Sequence, residues 1–349
     1  MTATPARLGY ALPAEWAPQA AIWLAWPAAE DLWQDNLAPA QAEFVALAEA
    51  IAWAPPGAGS TPIHLAVTDE DAAEAAANAL AGLPVSLHRL PYGDIWFRDT
   101  APLFLQHASG AVRPARFRFN GWGEKYVLAH DDAVSAAVCA IDGREAFAIP
   151  FVLEGGSVEQ DGEGTVLTSR QCLLNPNRNA LASQAEVEQV LCEALGARRV
   201  LWVTEGLIND HTDGHIDTIA RFVAPGEVVC MTASGDDDPN AAILDAIAHE
   251  LATLTDAAGR RLKVHRIPSP GRVLDEDERV MPASYVNFLI TNHSVIVPTY
   301  GTPYDEAAVA ALRPLFPSRR VIGLSARAIL SGGGAFHCIS QQVPAEVIP

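Results

Sequence analysis

The 349-residue sequence is short of positive charge. Lys and Arg number 23 against 42 Asp and Glu, a formal net charge of −19. A nucleic-acid binder needs a basic surface for phosphates, and an anionic membrane repels such a chain, so neither partner is expected. A small cationic substrate suits the balance, because an acidic field concentrates it. Cysteine is also sparse: Cys139, Cys172, Cys192, Cys230 and Cys338 are scattered with no CxxC pair. That set argues against a disulfide scaffold and a thiolate zinc cage, and fits a reducing cytoplasm. No charge-free apolar run of membrane-spanning length occurs, and the opening MTATPARLGYALPAEW lacks the apolar stretch of a secretory leader. Aromatic residues make up only 7%, yet hydrophobic residues make up 50%, enough for a large packed core.

What is present alternates between strand and helix patterns. AAIWLAW ends at Trp26 as the first strand candidate, and residues 38–54 place Phe44, Leu47, Ala48 and Ile51 on one helical stripe. Residues 62–67, 85–88, 113–119, 165–169 and 199–203 are further strand candidates; 131–140 and 183–195 are helical. RFV and EVVCM flank a turn at Pro225–Gly226, a helix is expected from Pro239 through 257, and RLKVHRI is a strand. YVNFLITNHSVIVPTYG reads as two strands separated near Asn292, residues 305–315 as a helix, and RRVIGLS as a strand. The expected fold class is α/β with mixed hairpins. The acidic GDDDP and DEDER segments are expected as solvated loops. No linker divides the chain, so residues 1–349 are read as a single domain.

Four polar segments marked by Gly or Trp recur at related distances. Asp99 to Glu154 is 55 residues, Glu154 to Asp217 is 63, and Asp217 to Cys338 is 121, about twice the others. This spacing is consistent with modules that each deliver one loop to a common centre; chance spacing is the alternative.

Each segment carries chemistry. In LSGGGAFHCISQQ, three glycines (Gly332, Gly333, Gly334) precede Cys338. Glycines permit close backbone approach, and a thiolate is the strongest ordinary nucleophile. The other four cysteines are assigned to packing, Cys172 less clearly because of its polar neighbours. NDHTDGHIDTIARF packs His211, Asp213, His215 and Asp217 together. It lacks the glutamate of HExxH, so the zinc-protease pattern fails. An extended segment would put His215 and Asp217 on one face, where a histidine beside carboxylates can act as acid and base. The alternative is a polar hairpin bonding its own turn. PYGDIWFRDTAPLF offers Asp94, Trp96, Arg98 and Asp99. An indole face suits a planar cation, and a carboxylate takes paired N–H bonds from a guanidinium; a buried Arg98–Asp99 pair is the plainer alternative. Glu154, before Gly155 and Gly156, is a binding carboxylate on a tight turn or part of an empty hairpin. One thiol, one histidine and several carboxylates suit attack on a cationic carbon centre.

These motifs, in order from LPAEWAPQAAIWLAWP through GDIWFRDTAP, LEGGSVEQDGEGT, LLNPNRN and DGHIDTIARF to GGGAFHCISQQVP, resemble the agmatine deiminase family of the guanidine-modifying pentein superfamily. The resemblance implies a five-bladed, pseudo-symmetric α/β propeller. It implies Cys338 as nucleophile, His215 as proton-transfer group, and Asp99 and Asp217 as guanidinium-binding carboxylates. Glu154 would support the cation and His215. Trp96 would pack near the guanidinium, with Asp94 in the same motif a further substrate-binding candidate, and Gly333 and Gly334 would form the loop entering the nucleophile. No metal or organic cofactor is implied, and a homodimer is the family expectation. The familiar segment is GGGNIHC, whereas this chain has GGGAFHC, so Ala335 lacks an amide that could bond a loop or substrate group. Arginine or peptidyl-arginine is the alternative substrate, and a silent guanidine- or polyamine-binding protein is the alternative class.

Overall fold

The computed structural model describes residues 3–346. The described residues form five small sheets. Four share one grammar: an antiparallel strand pair, a helical crossover, then a third strand parallel to the second. In order these are Leu103–His107, Val112–Arg118 and Phe147–Val152; Glu159–Gln160, Thr165–Ser169 and Arg199–Val203; Ala220–Ala224, Glu227–Thr232 and Lys263–Pro268; and Leu289–Ile290, Ser294–Thr299 and Arg320–Ser325. The fifth sheet joins the two ends of the chain. Gln341–Pro344 pairs antiparallel with Gln19–Ala25, which continues in parallel to Ile63–Val67 and Val85–Arg89. The result is a ring of five blades, a pseudo-symmetric α/β propeller.

Local sequence explains the elements. The helix Leu37–Ala52 buries Phe44, Leu47, Ala48 and Ile51, the stripe expected from their spacing. Asp69 caps Glu70–Ala79 by accepting from the Ala72 amide, and Ser183 with Glu186 forms a capping box at Gln184–Leu195. The strands at 165–169 and 199–203 lie where the apolar runs place them. Several expectations need correction. The helix expected to 257 runs Ala241–Thr253, because Asp256 draws the amides of Ala258 and Arg260 into a turn, and a turn bond competes with helix continuation. Asp238 of the acidic loop is buried and bonds the Asn240 amide. Tyr285–Phe288, expected in strand, precede a strand of only two residues.

One buried network ties the blades together. Arg221, fully buried, donates to Glu159 at 2.7 Å, to Glu15 and to the Phe288 carbonyl at 2.8 Å. Burial opposes the Glu15 charge, but Arg221 and His337 hold its carboxyl well below the usual range. Deleting one partner from a buried ion network leaves the others uncompensated. Arg221→Met should therefore lose about 3–5 kcal/mol of unfolding free energy in urea titration. Stability within 1 kcal/mol of the parent would show that the network is dispensable.

Candidate active site

Each blade sends one segment inward just before its first strand. The turn Phe97–Thr100 carries Asp99, and the segment leading into the 3-10 turn Gly155–Ser157 carries Glu154. The 3-10 turn Ile216–Thr218 carries Asp217, with His215 immediately before it. The segment before Leu289–Ile290 carries Asn287, and the turn before Gln341–Pro344 carries Cys338. Asn287 occupies the gap of double length between Asp217 and Cys338, and sequence reasoning missed it. The spacing was the available signal: a five-module ring requires a loop there.

His215 and Asp217 converge, but not as an extended segment. His215 has φ −56° and ψ 136°, and the chain then turns, with the Ile219 amide bonding the Ile216 carbonyl at 3.0 Å. Nδ1 of His215 lies 3.8 Å from Asp99 Oδ1, and Nε2 lies 4.0 Å from Glu154 Oε2. Neither ring nitrogen has a hydrogen-bond partner. Burial works against an imidazolium, but Asp99, Cys172 and Glu154 more than offset it and hold the pKa up at about 10.

Cys338 Sγ lies 3.1 Å from Asn287 Nδ2 and 3.7 Å from Asp217 Oδ2. Burial, Asp217 and Asp99 push the thiol well above its ordinary pKa. Asp217 itself is held low despite burial, chiefly because His337 donates from Nδ1 at 2.7 Å. Nε2 of the same His337 meets Glu15 at 2.8 Å, which links the centre to Arg221. Asp99 accepts from the Trp122 indole at 2.8 Å and the Gly156 amide at 2.9 Å, while burial raises its pKa. Glu154 is fully buried; one oxygen takes Arg178 Nε at 2.9 Å and the other has no partner.

The Arg98–Asp99 pair, the plainer alternative to substrate binding, does not form. Arg98 instead donates to the His337 carbonyl at 3.2 Å and to Gln342 at 2.8 Å. Asp94 spends both oxygens on indoles, Trp33 at 2.9 Å and Trp96 at 2.8 Å. It thus fixes two stacked rings whose centroids are 6.2 Å apart. His211 does not pair with His215; it stacks on Tyr126. Asp213 instead binds Lys125 and Arg178. Cys338 sits in a loop that leads into the strand Gln341–Pro344. Ala335 is buried and its carbonyl accepts from the Ile339 amide, closing the turn that holds Cys338.

A cavity of about 400 Å³ opens over this cluster. Trp33, Trp96, Trp122 and Tyr126 supply walls, Gly332, Gly333 and Gly334 a rim, and Cys338 and Asp99 the inner end. Gly333 has φ +106°, and a Cβ on Gly334 would stand 2.6 Å from Trp96 and 3.1 Å from Cys338 Sγ. Only glycine fits there. Asp35, Asp94, Asp99 and Glu276 line the cavity, and among the described residues no Lys or Arg does.

A ring of five blades around buried carboxylates, a histidine and a thiol defines the guanidine-modifying pentein class. A family model for the Porphyromonas-type peptidyl-arginine deiminase matches residues 11–344, and the chain belongs to that family. The agmatine deiminase of Stutzerimonas stutzeri is 39% identical over 100% of this chain and 99% of its own. That of Ectopseudomonas mendocina is also 39% identical, over 99% and 98%. Among solved structures, the agmatine deiminase of Enterococcus faecalis superposes with TM-score 0.92 at 33% identity, covering 99% of each chain. That of Campylobacter jejuni with substrate bound gives 0.85 at 27% identity, covering 97% of each chain.

Two outcomes follow from the geometry. Histidine ¹⁵N NMR should show His215 protonated at neutral pH and titrating near 10. Because its folded pKa lies above the unfolded value of 6.5, the stability it contributes is complete below 6.5 and lost as pH rises through 10. A neutral ring at pH 7 would contradict the electrostatics. Separately, a Cβ on Gly156 would lie 2.6 Å from His215 Nδ1 and 3.0 Å from Asp99 Oδ1. Gly156→Ala should fold yet lose about 100-fold in kcat/KM, the scale of a 1 Å misplacement. Unchanged kinetics would show that this close approach is not needed.

Proposed function

We propose that the protein hydrolyses agmatine to N-carbamoylputrescine and ammonia through a covalent intermediate on Cys338. The near full-length agmatine deiminase relatives support the reaction class. The observation that carries the choice of substrate is the cavity lining: carboxylates and indoles around a thiol, with no Lys or Arg among the described residues. A dication fits such a lining. The α-carboxylate of arginine would enter it unpaired, at a cost in binding energy.

In this reading Asp99 and Asp217 hold the guanidinium in plane, and Trp96 packs near it. The arriving cation offsets the carboxylates that keep the Cys338 thiol protonated, and the thiol proton passes to solvent. The thiolate adds to the guanidinium carbon, giving a neutral tetrahedral intermediate. His215, already protonated, gives its proton to the departing nitrogen, and the C–N bond breaks as ammonia leaves. A cationic thiouronium remains on Cys338. Water then loses a proton to the neutral His215 and its oxygen adds to the same carbon. The C–S bond breaks, the thiolate returns, and the ureido product loses its extra proton to solvent. Glu154 supports the His215 charge, Asp94 holds the indole wall, and Gly333 and Gly334 keep the nucleophile's loop close. The blades act together as one catalytic domain, and the reaction needs no metal or organic cofactor.

Ammonia release from agmatine and arginine in competition, at fixed low and high ionic strength, tests the assignment. Agmatine should win in kcat/KM at both salts, and arginine preferred at both would overturn the substrate. Asp99→Asn should lose more than 100-fold in kcat/KM, whereas the exposed Asp237→Asn should change it less than twofold, since only Asp99 would face substrate charge in a desolvated site. Equal, small losses would return Asp99 to a structural role.

A further inference from the structure

Cys172 has no part in the reaction above, yet it lies against its proton-transfer group. The short helix Arg170–Leu173 carries it, capped by Ser169. The Ser169 hydroxyl also donates to the Gly214 carbonyl at 2.5 Å, which fixes this helix beside His215. Cys172 and Glu154 are fully buried, and His215 is nearly so. One ligand atom from each of Glu154, Cys172 and His215 lies within 4.8 Å of the other two. Glu154 Oε2 and both His215 ring nitrogens have no hydrogen-bond partner. Arg178 holds the other Glu154 oxygen at 2.9 Å, the kind of outer support that orients a ligating carboxylate.

A second buried trio, Glu15, Glu159 and His337, offers two acids and a histidine but no thiol. Its atoms are already committed, to Arg221 and to Asp217. The first trio alone leaves donors free.

We propose that Glu154, Cys172 and His215 form a zinc-binding site, which when filled removes the His215 proton carrier from use. The donors are one carboxylate oxygen, one imidazole nitrogen and one thiolate, a set that suits Zn²⁺. Tetrahedral zinc with bonds of about 2.0–2.3 Å separates its donors by about 3.3–3.5 Å. Separations of up to 4.8 Å in the trio would close by no more than about 1.5 Å to reach it. Binding displaces one proton from the Cys172 thiol and one from the His215 imidazolium, forms three metal–ligand bonds and leaves a fourth position for water. No redox change is involved. The site stands on the geometry alone; the loss of activity rests on the deiminase reading.

Cobalt(II), which takes the same tetrahedral donors and reports a thiolate ligand by a near-ultraviolet charge-transfer band, is added to purified full-length protein. One cobalt per chain with that band is expected, displaced by one equivalent of zinc. The band should survive in Cys338→Ala and vanish in Cys172→Ser. Extended X-ray absorption of zinc-loaded Cys338→Ala, which leaves Cys172 in place, should show one sulfur at about 2.3 Å among nitrogen and oxygen donors. This arm holds even if Cys172→Ser does not fold. No band, no sulfur scatterer, or a band lost in Cys338→Ala and kept in Cys172→Ser would overturn the proposal. In parallel, zinc should suppress ammonia release more than tenfold and a chelator should restore it. Metal binding as described without ammonia release from any guanidine in the zinc-free protein would sink the deiminase reading and leave the metal site supported.

Discussion

A continuous chain of buried charge, from Asp217 through His337 to Glu15, Arg221 and Glu159, governs the rest of the molecule. It begins beside the thiol and ends in the scaffold. Asp217 stays ionised because His337 bonds it at 2.7 Å, and His337 is held by Glu15 at 2.8 Å. Arg221 in turn bridges Glu15, Glu159 and the Phe288 carbonyl. These residues come from the N-terminal segment, from successive blades and from the loop preceding the closing strand. The network therefore fixes the ring and the Asp217 carboxylate with the same bonds. Buried ions are expensive unless every one is paired, and here the pairing extends across blades.

The remaining charges are deliberately unbalanced. Asp99, Asp217 and Glu154 face a centre in which His215 carries the positive charge not already spent in Arg178 and Arg221. Burial and neighbouring carboxylates lift the Asp99 and Cys338 pKa values, whereas Asp99, Cys172 and Glu154 lift that of His215 against its burial. An empty centre of this kind keeps its thiol protonated. In the proposed mechanism an arriving cation relaxes all three at once, so charge neutralisation and activation of the Cys338 thiol are one event. On the proposed reading the same cavity favours a ligand without a carboxylate, since among the described residues no Lys or Arg lines it.

Much of this was legible in the sequence, and for different reasons. Period and punctuation located most helices and the apolar strands, because those residues bury one face. The strands Leu103–His107, Phe147–Val152 and Gln341–Pro344 escaped notice: the last is polar, and it pairs with Gln19–Ala25 more than three hundred residues away. No local pattern encodes such a closure. The motif residues Asp99, Glu154, His215, Asp217 and Cys338 do gather around one centre. Their partners were invisible. His337 was passed over beside the more conspicuous cysteine, and Asn287 lies inside an apolar run that reads as strand. Asp94 shows the opposite case, a motif residue whose oxygens the fold commits to Trp33 and Trp96.

The central claim is that a guanidinium carbon becomes bonded to Cys338 during turnover. Protein mixed with agmatine and quenched in acid within the first turnovers, then digested and sequenced by mass spectrometry, tests it directly. The account predicts an adduct of agmatine less ammonia on the peptide containing Cys338, rising in occupancy when His215→Ala slows the hydrolytic step more than the first. Steady ammonia release with no adduct on Cys338 in either protein, or an adduct on Cys172 instead, would contradict it.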